Sequence, residues 1–149
     1  MDFHNLLENL KNQSFFSNLI IERGIEKESL RVTNNGYISN KKHPETLGSS
    51  YTNPSITTDF AESLIEIVTP TYTNVDELYE KLKIIHIFIN QNLRDGEILW
   101  PFYMPPKIED ESKIKIATYG KTNMGRLTHV YRKGIAIKYE KTSKCVAGI

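Results

Sequence analysis

Glu26 and Glu28 stand two residues apart in the segment GIEKESLRV. On a strand this spacing points both carboxylates to one face, together with Leu30 and Val32. Lys27, Ser29 and Arg31 take the other. Two acids beside apolar side chains, with no base on their own face, repel each other when buried without a cation. A hard divalent ion satisfies them, and an all-oxygen donor set favours magnesium or manganese over zinc. A solvated edge strand or cross-strand ion pairs fit the same pattern. Asp59, Glu62 and Glu66 form a second acidic set. It reads either as the solvated face of an amphipathic helix or as further members of a metal cluster.

Other chemistries find less support. Gly120-Lys121-Thr122 has the ending of a phosphate-binding P-loop, but Lys115 stands where its first glycine belongs. Neither a G-x-S-x-G elbow nor an H-E-x-x-H zinc helix is present. His4, His43, His86 and His129 are scattered and read as structural or exposed. The one cysteine, Cys145, rules out an internal disulfide or a site with two thiolates, and without a histidine partner it reads as an inert thiol. Trp100, Phe102 and Tyr103 read as core, with the wall of a small-molecule pocket as the alternative.

The elements that must position these groups follow from periodicity. Phe3, Leu6, Leu7 and Leu10 predict a short N-terminal helix, and Gly24 to Val32 alternate as a strand. Asn35-Gly36 before Tyr37 and Ile38 is a hairpin signal. Residues 40–56 read as an irregular loop. The segment DFAESLIEIVT, residues 59–69, is ambiguous. Its periodicity favours an amphipathic helix, whereas its β-branched second half, ending at Pro70, suits a strand. Asn74, with Glu77 three residues on, predicts a capping box and a helix ending near Leu93. Ile98 to Met104 predict a short strand stopped by Pro105 and Pro106. Asn123 is a candidate cap for a last helix through Ile135, which Gly134 weakens.

Composition sets the frame. The 149 residues carry a formal net charge of +1 with 39% apolar and 25% charged residues, which suits one globular domain and excludes neither face of the chemistry above. The near-zero charge speaks against a nucleic-acid binder, and no apolar run approaches a membrane span. The N-terminus has early acids and no long apolar run, unlike a signal peptide. The charge is uneven: residues 1–106 hold 9 basic and 14 acidic side chains, residues 107–149 hold 10 basic and 4 acidic. The first part can gather cations and the second can face anions. No repeat or second domain is evident.

Five blocks then carry a resemblance: GIEKESLRV, HPETLGS, TTDFAESLIEIVTP, LWPFYMPP and ATYGKTNMGRLTHVYRKG. In this order and spacing, from about Ile21 onward, the chain resembles the N-terminal part of the glutamate–cysteine ligases of the proteobacterial type. The resemblance implies an α+β fold similar to glutamine synthetase, with a curved, largely antiparallel sheet that is incomplete in this chain. It implies the first step of glutathione synthesis. ATP phosphorylates the γ-carboxylate of L-glutamate, and the amine of L-cysteine displaces the phosphate to give γ-glutamylcysteine. Magnesium, or manganese, would neutralise charge, and no protein nucleophile is needed. By the family pattern Glu26, Glu28, Asp59 and Glu66 are metal ligands, while Phe60, Tyr131 and Ile135 line the cysteine side-chain pocket. The pattern also resolves residues 64–69 toward a strand. It assigns no nucleotide-binding residue here. A cytoplasmic protein, monomeric when complete, is expected.

Two departures qualify this. The family is several times longer and continues past G-[IV] with His-Tyr-Asn, and it usually has Met-Gln where Ser143-Lys144 stand. The chain is therefore expected to be a piece of the enzyme, inactive alone. The alternatives are a related carboxylate–amine ligase with another acceptor and a non-catalytic remnant.

Overall fold

The computed structural model describes residues 2–13, 17 and 19–138, with side chains up to residue 133. Four strands form one sheet: β1 (Glu26–Thr33), β2 (Ile56–Thr58), β3 (Leu64–Val68) and β4 (Glu97–Leu99), in the spatial order β2-β3-β1-β4. Every pairing between these four strands is antiparallel. Three helices accompany the sheet: α1 (Phe3–Asn12), α2 (Val75–Asn92) and α3 (Asn123–Lys138). The architecture is α+β.

The hairpin signal closes a turn, with Gly36 at φ +79° and the Thr33 N–H donating to the Tyr37 carbonyl at 2.8 Å. Beyond it Ile38 makes an isolated bridge to Val32 and donates its N–H to the Lys107 carbonyl at 3.0 Å. The 40–56 loop contains a 3-10 turn at Glu45–Leu47, which buries Leu47, before β2 begins.

The helical periodicity of residues 59–69 is overturned. Residues 64–68 are a strand, preceded by a turn in which the Leu64 N–H donates to the Ala61 carbonyl at 3.0 Å. The cause is that β3 is covered on both sides. Leu64 packs with Leu30, Ile38, Ala61 and Ile114 on the front, and Ile65 and Ile67 pack on the back. A strand buried on both faces is a near-continuous apolar run, which a helical wheel cannot tell from a helix.

Asn74 caps α2, its side chain accepting from the Asp76 N–H at 2.7 Å, but among the described residues Glu77 returns no hydrogen bond, so the reciprocal half of the capping box does not form. Ile85 and Ile89 of α2 cover Ile56, Ile65 and Ile67, closing the back of the sheet. The strand expected from Ile98 to Met104 stops at Leu99. The Trp100 N–H still donates to the Leu30 carbonyl at 2.8 Å. Pro101, which has no N–H, cannot continue the ladder. At the start of α3, Thr122 rather than Asn123 is the cap: its Oγ1 accepts from the Gly125 N–H at 3.1 Å. Serine and threonine oxygens suit this role because they satisfy amides left free in the first turn. Among the described residues no helix is long and apolar enough to cross a membrane.

Candidate metal centre and adjoining pocket

The front face of the sheet carries the acids. Register places Glu28 of β1 directly opposite Glu66 of β3, with Thr57 of β2 opposite Glu66 on its far side. Glu26 lies two residues along the same face, opposite Val68. Directly opposed side chains in an antiparallel pair are close neighbours, and like charges there are destabilising. Asp59 follows β2 immediately and adds its field to both glutamates. Structure therefore brings Glu26, Glu28, Asp59 and Glu66 into one electrostatic group.

The setting disfavours the charged form of these carboxyls. Burial, followed by repulsion from Asp59, Glu66 and Glu26, pushes the Glu28 carboxyl up to about 7. Glu66 is also raised, first by burial and then by Asp59 and Glu26, with Arg132 opposing. Glu28 Oε2 is buried and has no hydrogen-bond partner. Among the described residues none of the four acids is in an ion pair. Nor does any group of three His, Cys, Asp or Glu side chains there already form a cage for an ion. The acids share a field and a face, and side-chain rotation would have to gather them. An orphaned carboxylate oxygen, an excess of negative charge and an oxygen-only donor set fit a hard divalent cation.

Glu62 leaves this group. It is 6% exposed and turned to the loops, accepting from the His43 N–H at 3.1 Å and from the Thr118 N–H and hydroxyl at 3.2 and 3.0 Å. The second acidic set is therefore split, because the segment is a turn and strand instead of one helical face.

A cavity of about 380 Å³ adjoins the acids, lined by Glu26, Glu28, Leu30, Leu64, Trp100 and Phe102 among others. The aromatic segment is thus not plain core. Trp100 packs partly on the front cluster, stacks edge-on with Phe102 at 5.0 Å, and donates from Nε1 to the Met104 carbonyl at 2.6 Å. Phe102 and Tyr103 are exposed beside the cavity.

The residues matched to a cysteine pocket sit in different settings. Phe60 is buried in the turn after β2, and Tyr131 is exposed on α3. The side chain of Ile135, like Ser143, Lys144 and Cys145, lies outside the described residues. None of the four histidines contributes to the acidic group: burial lowers His43 and His86, with Arg31 and Lys27 respectively adding to it.

Sequence reading missed three polar anchors. Arg31, fully buried, donates from Nη1 to Glu97 at 2.7 Å and from Nη2 to the Lys41 and Glu62 carbonyls at 2.8 and 2.6 Å. The Ser39 hydroxyl donates to the same Glu97 oxygen. Arg132 donates to the Thr58 carbonyl at 3.2 Å and to the Tyr119 hydroxyl at 2.7 Å, and its guanidinium lies 4.6 Å from the Tyr119 ring centre. The third is the Glu62 clamp. Only the alternation that set Arg31 opposite the acids hinted at any of them.

The glutamate-cysteine ligase family model matches residues 5–149. The chain is 46% identical over 129 residues to a glutamate–cysteine ligase of Hahella chejuensis, covering 87% of this chain and 25% of that protein. It is 49% identical over 126 residues to one of Pseudomonas aeruginosa, covering 85% and 24%. The chain thus spans about a quarter of the length of the curated relatives it matches. Among solved structures, glutamate–cysteine ligase of Francisella tularensis in complex with AMP aligns with a TM-score of 0.77 at 38% identity, over 80% of this chain and 24% of that one. A bifunctional glutathione synthetase of Pasteurella multocida aligns with a TM-score of 0.75 at 30% identity, over 89% and 17%. With the family model spanning nearly the whole sequence and the same fold in a solved member, this chain belongs to the glutamate-cysteine ligase family.

Proposed function

We propose that this chain supplies the carboxylate wall of an ATP-dependent ligase that joins the γ-carboxyl of L-glutamate to the amine of L-cysteine, the first step of glutathione synthesis. The observation that carries the reading is the acidic face, where Glu28 stands opposite Glu66 with an orphaned buried oxygen. Glu26, Glu28, Asp59 and Glu66 would hold magnesium or manganese, and such an ion supplies charge neutralisation for the ATP phosphates and the acyl phosphate. In the reaction the glutamate γ-carboxylate takes the terminal phosphoryl group of ATP, leaving ADP, and the cysteine amine then displaces phosphate from the acyl carbon. Both steps gather negative charge in one place, so a wall of unpaired carboxylates is useful only together with cations.

The chain's own residues do three things in this reading. The acids fix the cation positions. The 380 Å³ cavity beside Trp100 and Phe102 gives a partly apolar, partly acidic recess next to them. Phe60 and α3, with Tyr131 and Ile135, supply the cysteine side of the site. The AMP in the Francisella tularensis ligase supports a nucleotide as co-substrate. A cytoplasmic setting fits a reaction that consumes ATP and free cysteine thiol.

The test is the full-length protein with glutamate, ATP and magnesium, and a panel of acceptor amines. Cysteine is expected to be preferred clearly, with γ-glutamylcysteine and ADP formed in equal amounts. Glu28→Gln and Glu66→Gln should each lower kcat/KM by about a hundredfold or more while circular dichroism is unchanged. Preference for another amine would reassign the acceptor. No ADP or ligated product from the wild-type protein would make the chain a non-catalytic remnant.

A further inference from the structure

We propose that Glu62 is a positioning residue that sets α3 against the carboxylate wall and thereby tunes affinity for the cysteine substrate, without touching substrate or metal. This rests on the ligase reading above.

The reason begins with what does not hold α3. Met124, Leu127, Val130 and Tyr131 are all exposed, so within the described residues the helix is not seated by an apolar face. Within those residues its contacts to the rest of the chain are polar. Arg132 ties the helix to the Thr58 carbonyl, one residue before Asp59. The other tether is the connector, residues 114–122, which leads into the helix. That connector is zipped to the turn 60–63: the Glu62 N–H donates to the Lys115 carbonyl at 2.9 Å, and the Ala117 N–H donates to the Phe60 carbonyl at 3.0 Å. Ala61 and Ile116 form an antiparallel bridge between them.

Glu62 is the side chain that locks this junction. Its carboxylate takes both the N–H and the hydroxyl of Thr118, while the other oxygen takes the His43 N–H. Its own carbonyl accepts from the buried Arg31 guanidinium at 2.6 Å. One residue therefore joins β1, the 40–56 loop at His43, the turn that carries Asp59 and Phe60, and the connector to α3. Charge-assisted bonds of this kind, out of water, are stiff and strong. The same turn holds a metal-side acid and a cysteine-side aromatic, so a shift of α3 relative to that turn changes the width of the acceptor side before it changes the acids.

The full-length ligase carrying Glu62→Gln tests this. The amide puts an N–H against one of the two backbone donors, and the KM for cysteine should rise about tenfold. The KM for glutamate, the half-saturating manganese concentration read by electron paramagnetic resonance, and kcat should each move less than about threefold. Thr118→Val removes only the hydroxyl bond and should raise the cysteine KM in the same direction by about threefold. Calorimetric titration of cysteine into the protein with glutamate and a non-hydrolysable ATP analogue should show the same order without turnover. An unchanged cysteine KM in a folded Glu62→Gln protein overturns the proposal. So does an equal loss for all three ligands, which marks a purely structural role. Should Glu62→Gln fail to fold, Thr118→Val decides in the same way. A wild-type protein that forms no product and binds no cysteine defeats the ligase reading itself, an outcome separate from either variant result.

Discussion

At the residue scale the acids stand in a setting that disfavours their charge. Glu28 faces Glu66 across the ladder, with Asp59 and Glu26 nearby, and burial and repulsion together hold its carboxyl near 7. A carboxyl raised in the folded state binds its proton there at pH values where the unfolded chain has lost it. Below the unfolded value both states are protonated, and Glu28 costs nothing. As pH rises from about 4.5 to about 7 the folded state is penalised progressively, and above 7 the penalty is complete. The urea midpoint of the protein without divalent ions should therefore fall across this window by more than that of Glu28→Gln. Millimolar magnesium should restore the wild-type midpoint at pH 8 and leave the variant less affected. Parallel pH profiles with and without magnesium for both proteins would remove Glu28 from the metal-side group.

At the element scale the front of the sheet is available because the back is closed. α2 covers the isoleucines of β2 and β3, and the buried Arg31–Glu97 pair ties β1 to β4 at the far end. Breaking a buried pair by removing one partner typically costs about 3–5 kcal/mol, since it leaves an uncompensated charge. The junction into α3 is tight for another reason. A Cβ on Gly125 would stand 2.6 Å from the Tyr119 carbonyl oxygen and 2.7 Å from that of Gly120, both backbone atoms. Gly125→Ala should therefore lower stability by about 1–3 kcal/mol through forced backbone movement at the start of α3. Equilibrium denaturation reads the loss. Unchanged stability would mean that the connector yields freely and that α3 is not held where the contacts of Arg132 and Thr122 place it.

At the scale of the whole molecule, much apolar surface stays in water. Tyr79, Ile84, Ile87 and Phe88 on α2 and Leu127 and Val130 on α3 are exposed, and β2 and β4 are edges. The 149-residue chain by itself should bind the dye ANS strongly, self-associate at micromolar concentration and form no γ-glutamylcysteine, whereas the full-length protein should do the reverse. Size-exclusion chromatography and the ligase assay compare the two.

The same surfaces divide what could be read from the chain from what could not. The two-residue spacing that puts Glu26 and Glu28 on one face, the turn at Gly36 and the Asn74 cap are local, because chain geometry and nearest-neighbour hydrogen bonds decide them. The resemblance grouped Asp59 and Glu66 with these two as proposed metal ligands, and the proposed cysteine-side roles of Phe60, Tyr131 and Ile135 come from it alone. Periodicity erred at residues 64–68 because it assumes one buried face, and β3 has two. The register that sets Glu28 against Glu66, the pairing of Arg31 with Glu97 and the turning of Glu62 toward Thr118 join segments far apart in sequence. Only tertiary structure decided these, since register and partner choice follow from which surfaces exclude water together, and burial is a property of the assembled sheet rather than of any one strand.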